Sequence, residues 1–251
     1  MIIHQHGGNI QNFYYEVCGN IRRALIRKSL RQADRFLVVA PYLKDIFSAI
    51  IDTDKILIIP NAISVPEQYQ KDYSQKKLIF LGRLCREKGI AELLSAVEIL
   101  KKDFPDLELY LGGVWCDDSL KQKADSMKKY IHQLGWIDDK QRDRYLRECN
   151  IFVLPTYFEG LPMSLLEGMA YGCACVATEV GGIPQMMKDG KEGILIPAKN
   201  VENLVGALIN LFSNKNLQQK LGNNAQRLVR EKCNIKKVIS ILINEYEKME
   251  S

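Results

Sequence analysis

Short apolar runs separated by longer stretches of helical periodicity are the feature that most restricts what this chain can fold into. Runs of strand length at 35–40, 56–59, 77–82, 107–112, 151–154 and 175–178 read as strands buried on both faces. Helical sequence follows several of them, as at 90–102 and 163–171. Parallel neighbours need a crossover between them, so this alternation predicts an α/β fold with a parallel sheet flanked by helices. Three further helical segments, 201–212, 217–231 and 235–249, close the chain. There is no internal repeat and no low-complexity tract.

The chain has 251 residues, 47% of them hydrophobic and 26% charged, which suits one large domain or one and a part. A chain of this length buries roughly 70% of its unfolded surface, so its core needs no disulfide or metal to complete it. The seven cysteines, Cys18, Cys85, Cys116, Cys149, Cys173, Cys175 and Cys233, are scattered through apolar stretches with no paired CxxC spacing. That usage points to a reducing, cytoplasmic compartment. No apolar run reaches the roughly 20 residues of a membrane span, and the N-terminus does not read as a signal peptide.

The net charge of +5 is unevenly spread. Arg22, Arg23, Arg27, Lys28, Arg31 and Arg35 crowd one stretch in which Asp34 is the lone acid. As a helix over 21–35, this stretch would set most of its cations opposite Ile21, Leu25, Ile26, Leu30 and Ala33. Two readings follow: peripheral contact with anionic lipid or a lipid-phosphate acceptor at the inner face of the plasma membrane, or a solvated outer face. No nucleic-acid partner is expected, because no aromatics interleave the cations. The polar, turn-rich passage 60–76 reads as a link between two parts. The expected organisation is a remnant over 1–62, a linker over 63–76, a ligand-binding domain over 77–234 and a terminal helix over 235–251 packing back on the N-terminal part.

Two loops at the carboxyl ends of strands carry the chemistry, where open parallel sheets bind ligands. The first, Gly82-Arg83-Leu84-Cys85-Arg86-Glu87-Lys88-Gly89, offers three cations in front of a helix N-terminus, a combination suited to an anion. The second, Tyr157-Phe158-Glu159-Gly160-Leu161-Pro162-Met163-Ser164-Leu165-Leu166-Glu167, sets two glutamates eight positions apart. With Pro162 in the first helical turn, Glu159 falls in the loop and Glu167 on the helix. The free amides near Met163, Ser164 and Leu165 would then face an anion between two carboxylates, each able to accept from a pair of hydroxyls. A diphosphate-linked sugar and ribose has that pattern. The glycine pair Gly181-Gly182 after the strand at 175–178 would let a ligand approach backbone, or form a plain tight turn. His132 is read as a structural residue on a helical stretch.

Together these segments resemble the C-terminal domain of glycosyltransferase family 4, also called group 1, in which a GR-x-x-x-x-KG loop, an E-x(7)-E stretch and a GG-x-x-E turn occur in this order. Pro60-Asn61-Ala62-Ile63 and the segment 190–197 match two further motifs of that family. The resemblance implies the Rossmann-like C-terminal domain of a GT-B fold, with a partial N-terminal acceptor domain before it. It implies retaining transfer of a hexose from a UDP- or GDP-sugar to a cell-surface glycan or lipid-linked acceptor. Arg83 and Lys88 would stabilise the leaving diphosphate, Glu159 would meet the sugar and Glu167 the ribose. Gly82, Gly160, Leu161, Pro162, Met163, Ser164 and Leu165 would complete the donor site. No metal or other cofactor is expected, since fixed cations do that work. Asp52-Thr53-Asp54, a metal-binding pattern in the other transferase fold, reads here as an ordinary turn.

The likeness extends to 2–8, where His6 matches a histidine facing the donor sugar. Two departures stand out. Gln185 occupies the usual glutamate of the GG-x-x-E turn, and the acceptor domain's first strands are missing from this sequence. A partner chain carrying those strands is one expectation. A donor-binding subunit without activity of its own and a GT-B nucleotide-sugar epimerase are the alternatives to a transferase.

Overall fold

The computed structural model describes residues 1–5, 13–67, 69 and 71–250. His6 lies outside the described residues. The N-terminal lobe contains β1 (Ile2–Gln5), a π-helical turn (Phe13–Val17), α1 (Asn20–Arg31), β2 (Arg35–Val38), α2 (Pro41–Ser48) and β3 (Ile56–Ile58). Its strands pair in parallel in the order β1-β2-β3. Asp52 and Thr53 lie in the short turn between α2 and β3.

The larger lobe begins with β4 (Lys77–Leu81), α3 (Ile90–Leu100), β5 (Glu108–Gly112), α4 (Asp118–Ser126), β6 (Ile131–Gly135) and α5 (Asp139–Glu148). It continues with β7 (Ile151–Leu154), α6 (Met163–Ala170), β8 (Ala174–Thr178), α7 (Ile183–Met186) and β9 (Gly193–Ile196). The helices α8 (Val201–Ser213), α9 (Lys215–Lys232) and α10 (Ile235–Glu250) follow. The six strands run in parallel in the order β6-β5-β4-β7-β8-β9. Chain order therefore moves one way from β4 and the other way from β7, which places the switch point between those two strands.

Every residue of β7 and β8 is buried, as expected of strands covered by helices on both faces. Residues Ile90, Leu93, Leu94, Val97 and Leu100 give α3 a buried stripe at helical spacing. A single apolar cluster runs from Phe36 and Leu43 in the smaller lobe through Ile79, Phe152 and Val176 to Val229 on α9. The lobes thus share one core. A second cluster of Leu37, Ile59 and Val238, with Leu242 beside it, seats α10 on the N-terminal sheet. The crossing is pinned where Ile63 N–H donates to the Cys233 carbonyl and Ile235 N–H to the Ile63 carbonyl.

The passage 63–76 is a strap held against the larger lobe. Tyr69 Oη donates to the Tyr171 carbonyl at 2.6 Å and Tyr73 Oη to the Gly172 carbonyl at 2.8 Å. Lys71 Nζ reaches the carbonyls of Leu146 and Tyr171, at the C-terminal ends of α5 and α6. Cations there satisfy the last carbonyls of a helix.

Three local expectations are corrected. His132 lies on a strand, not a helix: β6 pairs with β5 in the register Tyr110↔His132, and the imidazole stacks on the Tyr110 ring at 4.6 Å. An edge strand with one neighbour tolerates polar His132 and Gln133, which hid its character. The basic helix ends at Arg31, and Arg35 opens β2. Ile26 and Leu30 pack on the core, whereas Ile21 and Leu25 are 80% and 60% exposed. Nine residues set Ile21 half a turn from Leu30, on the same outer arc as Lys28. Arg31 Nε instead donates to the Ile50 carbonyl at 3.1 Å. Among the described residues no helix is long and apolar enough to cross a membrane.

Candidate active site

A cleft of about 480 Å³ opens at the switch point, and Arg83, Lys88, Glu159 and Glu167 all line it. Leu81 and Leu154, at the carboxyl ends of β4 and β7, line it together with Gly112 and Gly113 at the end of β5, Trp136 and Ile137 after β6, and Arg142. The loops after β4 and β7 are tied together, because Tyr157 N–H donates to the Glu87 carbonyl at 2.9 Å. Thr178 Oγ1 holds the same loop from β8 through the Thr156 carbonyl at 2.6 Å.

In the first loop, Arg83 is exposed along the cleft wall and Lys88 is ion-paired with Glu159. The side chains of that pair are 19% and 13% exposed, so the contact is largely shielded from water. Arg86, the loop's third cation, turns away to Asp117 at 2.9 Å and Ser119 at 3.1 Å. Gly89, with φ of 71°, sits against the Pro155 main chain and leaves no room for a side chain. That close approach brings Lys88 to the Glu159 loop.

Pro162 is the N-cap of α6, one position earlier than a first-turn residue. Proline offers no side-chain acceptor, so the amides of Met163, Ser164 and Leu165 lack partners within the helix. The positive end of the helix dipole faces the cleft, where Pro162, Met163 and Ser164 form part of the lining. Gly82 lines it as well. Leu161 and Leu165 do not, since their side chains are buried in the core, and Gly160 is buried behind the loop.

Glu167, on the next turn of α6, meets Arg142 Nη1 at 3.2 Å. Burial pushes its carboxyl above the usual value; Arg142 opposes that shift, and Asp139 and Asp143 add to it. Arg142 is itself held by Asp139 at 2.9 Å and Asp143 at 3.6 Å. These carboxylates fix the guanidinium beside Glu167.

The glycine pair packs closely against the protein's own backbone. A Cβ at Gly181 would strike the Glu159 carbonyl, and one at Gly182 would strike Gly160 O and the Ala40 Cβ at 2.8 Å. Gly182 N–H donates to the Gly160 carbonyl at 2.8 Å. Gln185 also acts between segments: its Oε1 accepts from Tyr42 N–H at 3.0 Å, capping α2, whose own N-cap residue Ala40 has no acceptor.

Sequence reasoning missed Trp136, Arg142 and Tyr42. Trp136 is 84% exposed yet lines the cleft. It directly follows β6, so reading 131–135 as a strand would have exposed Gly135-Trp136-Ile137 as another strand-end loop. Tyr42 carries no such signal.

A Rossmann-like lobe with its cleft at the switch point, joined to a smaller parallel lobe, defines a GT-B glycosyltransferase architecture. Residues 63–228 match the family described as glycosyl transferases group 1, and the chain belongs to that family. It is 30% identical over 145 residues to the phosphatidyl-myo-inositol mannosyltransferase of Mycolicibacterium smegmatis, covering 57% of this chain and 38% of that protein. It is 28% identical over 203 residues to an uncharacterized glycosyltransferase of Methanocaldococcus jannaschii, covering 79% of this chain and 50% of that one. The chain thus spans half or less of the length of these two relatives. The fold matches the Anabaena HepE protein solved with UDP at a TM-score of 0.83, with 16% identity over 98% of this chain and 72% of that one.

Proposed function

We propose that this chain forms the donor-binding part of a retaining glycosyltransferase that moves a hexose from a UDP- or GDP-sugar to a glycan or lipid-linked acceptor. The observation that carries this reading is the meeting of Arg83, Lys88, Glu159 and Glu167 in one cleft beside the uncapped N-terminus of α6. The diphosphate would lie on the amides of Met163, Ser164 and Leu165, with Arg83 and Lys88 alongside. Glu167 would accept from the ribose hydroxyls, Glu159 from the sugar, and the base would extend toward Ile137 and Trp136. His6 carries, by its likeness to the family, the role of a histidine that faces the sugar.

As the bond from the anomeric carbon to the phosphate oxygen breaks, its electron pair passes to the diphosphate. Two fixed cations and a helix N-terminus oppose that growing charge in a sheltered cleft, with each donor worth about 10²- to 10³-fold in rate. The acceptor oxygen forms its bond on the face the nucleotide leaves, and its proton departs with the diphosphate. An acceptor linked to lipid is met at a membrane, and α1 presents Ile21, Leu25 and Lys28 outward in a manner suited to anionic lipid. The likeness to a mannosyltransferase and to a fold solved with UDP supports a nucleotide-sugar donor.

Calorimetry with UDP, GDP, UDP-glucose and GDP-mannose tests the reading. At least one should bind the folded chain, and Arg83→Ala with Lys88→Ala should weaken that binding 10-fold or more. A folded chain that binds none of them refutes the donor site.

A further inference from the structure

Three consecutive carbonyls in the loop that carries Glu159 accept hydrogen bonds. Glu159 O accepts from Tyr42 Oη at 3.0 Å, Gly160 O from Gly182 N–H at 2.8 Å, and Leu161 O from Asn61 Nδ2 at 2.7 Å. Two of the three donors, Tyr42 and Asn61, belong to the smaller lobe or its junction rather than to the lobe that bears the loop. Three successive bonded carbonyls restrain the peptide planes that follow Glu159, Gly160 and Leu161, and with them the main chain from which the Glu159 side chain projects. Lys88 then holds the carboxylate itself.

Tyr42 is seated to do this reliably. It occupies the first turn of α2, its main-chain N–H is bound by Gln185 at 3.0 Å, and its ring packs against the shared core. Burial, followed by the nearby Glu159 charge, pushes its phenol up to about 12. The hydroxyl is therefore a proton donor at any ordinary pH. Ala40, two residues before it, lies against Gly182, whose turn packs on the same loop at the Gly160 carbonyl, so the smaller lobe also abuts the turn behind the loop.

We propose that Tyr42, together with Asn61, is a positioning residue for Glu159, so that the smaller lobe sets the sugar-facing carboxylate of the larger one. This rests on the donor-site reading above for the role of Glu159, while the contacts themselves stand apart from it. Docking of the two lobes and sugar recognition are then a single event: a displaced smaller lobe leaves a site that holds a nucleotide but orients its sugar poorly.

The test is Tyr42→Phe, which removes only the hydroxyl, with Asn61→Ala as a second variant. Calorimetry with UDP, UDP-glucose, GDP and GDP-mannose gives the ratio of nucleotide-sugar to nucleotide affinity. In Tyr42→Phe the nucleotide affinity should hold while the ratio falls about 3- to 10-fold, the worth of one hydrogen bond. Hydrogen exchange of the unliganded variant should also quicken several-fold in the peptide spanning 157–166, with the rest of the larger lobe unchanged. An unchanged ratio, or unchanged exchange in that peptide, overturns the proposal, and so does an equal loss of nucleotide and nucleotide-sugar affinity, which marks general destabilisation. If the wild-type chain binds none of the four ligands, the donor-site reading falls and exchange alone decides the positioning role.

Discussion

Lys88 and Glu159 form an ion pair inside the cleft although 71 positions separate them in the chain. Their meeting depends on β4 and β7 being neighbours, on Gly89 lying against Pro155, and on the Tyr157 amide reaching Glu87. The pair holds a cation and an acid ready at the point where a diphosphate would pass into a sugar.

Lys88→Ala should therefore weaken nucleotide diphosphate binding and lower any transfer rate by about 10²- to 10³-fold. Glu159→Gln should leave the affinity for UDP or GDP near wild type and reduce only the increment contributed by the sugar. Titration of each variant with nucleotide and nucleotide-sugar separates the two effects. Equal losses for both ligands in Glu159→Gln would remove Glu159 from the sugar end.

Glu167 makes stability depend on pH. Burial raises its folded-state value above the ordinary 4.5, so the folded chain takes up this proton more readily than the unfolded one. Its contribution is complete below the unfolded value and is lost as pH rises through the raised folded one. Glu167→Gln, which cannot ionise, should melt higher than wild type at about pH 8, and the difference should vanish near pH 4. Arg142 keeps Asp139 and Asp143 as partners in that variant. A lower melting temperature than wild type at every pH would show that the Arg142 contact outweighs the burial.

Trp136 should report on the base. The chain has two tryptophans, and Trp115 is held at its indole N–H by Gln133 at 2.8 Å while Trp136 projects at the cleft. In a Trp115→Phe background, UDP or GDP should quench the remaining fluorescence and inorganic pyrophosphate should not. Trp136→Ala should lose about 5- to 100-fold in nucleotide affinity, the span expected of one base on one aromatic ring. Equal quenching by pyrophosphate would place the base elsewhere.

Gly182→Ala tests the packing between the lobes. Its new methyl would meet Gly160 O and Ala40 Cβ, neither of which is the end of a flexible side chain. The expected cost is about 1–3 kcal/mol of stability, read from denaturant unfolding. Gly206→Ala, on α8 with open space where the added methyl would stand, is the control and should be neutral or stabilising.

Much of this arrangement is legible in the chain because it is locally encoded. Buried strands such as β7 and β8 are apolar on both faces, so their hydrophobic runs declare them without reference to neighbours. The two loops show their chemistry through residue type and spacing, and Pro162 marks the start of α6 within one position. Strand β6 escaped because an edge strand carries polar residues whose strand character comes from its partner, β5.

The amino-acid order alone settles the α/β alternation, the buried strands and the two strand-end loops, though not the sheet's outer strands β6 and β9, since periodicity, turn chemistry and glycine are properties of neighbouring residues. Folding in three dimensions was needed to set Arg142 against Glu167, to stand Trp136 at the cleft, to pack the glycine pair on the Glu159 loop and to bring Tyr42 across to hold it. Each of those is a contact between segments far apart in the chain. Its existence depends on strand order and lobe docking, which are set by burial of the shared core and leave no mark on the local pattern of either partner.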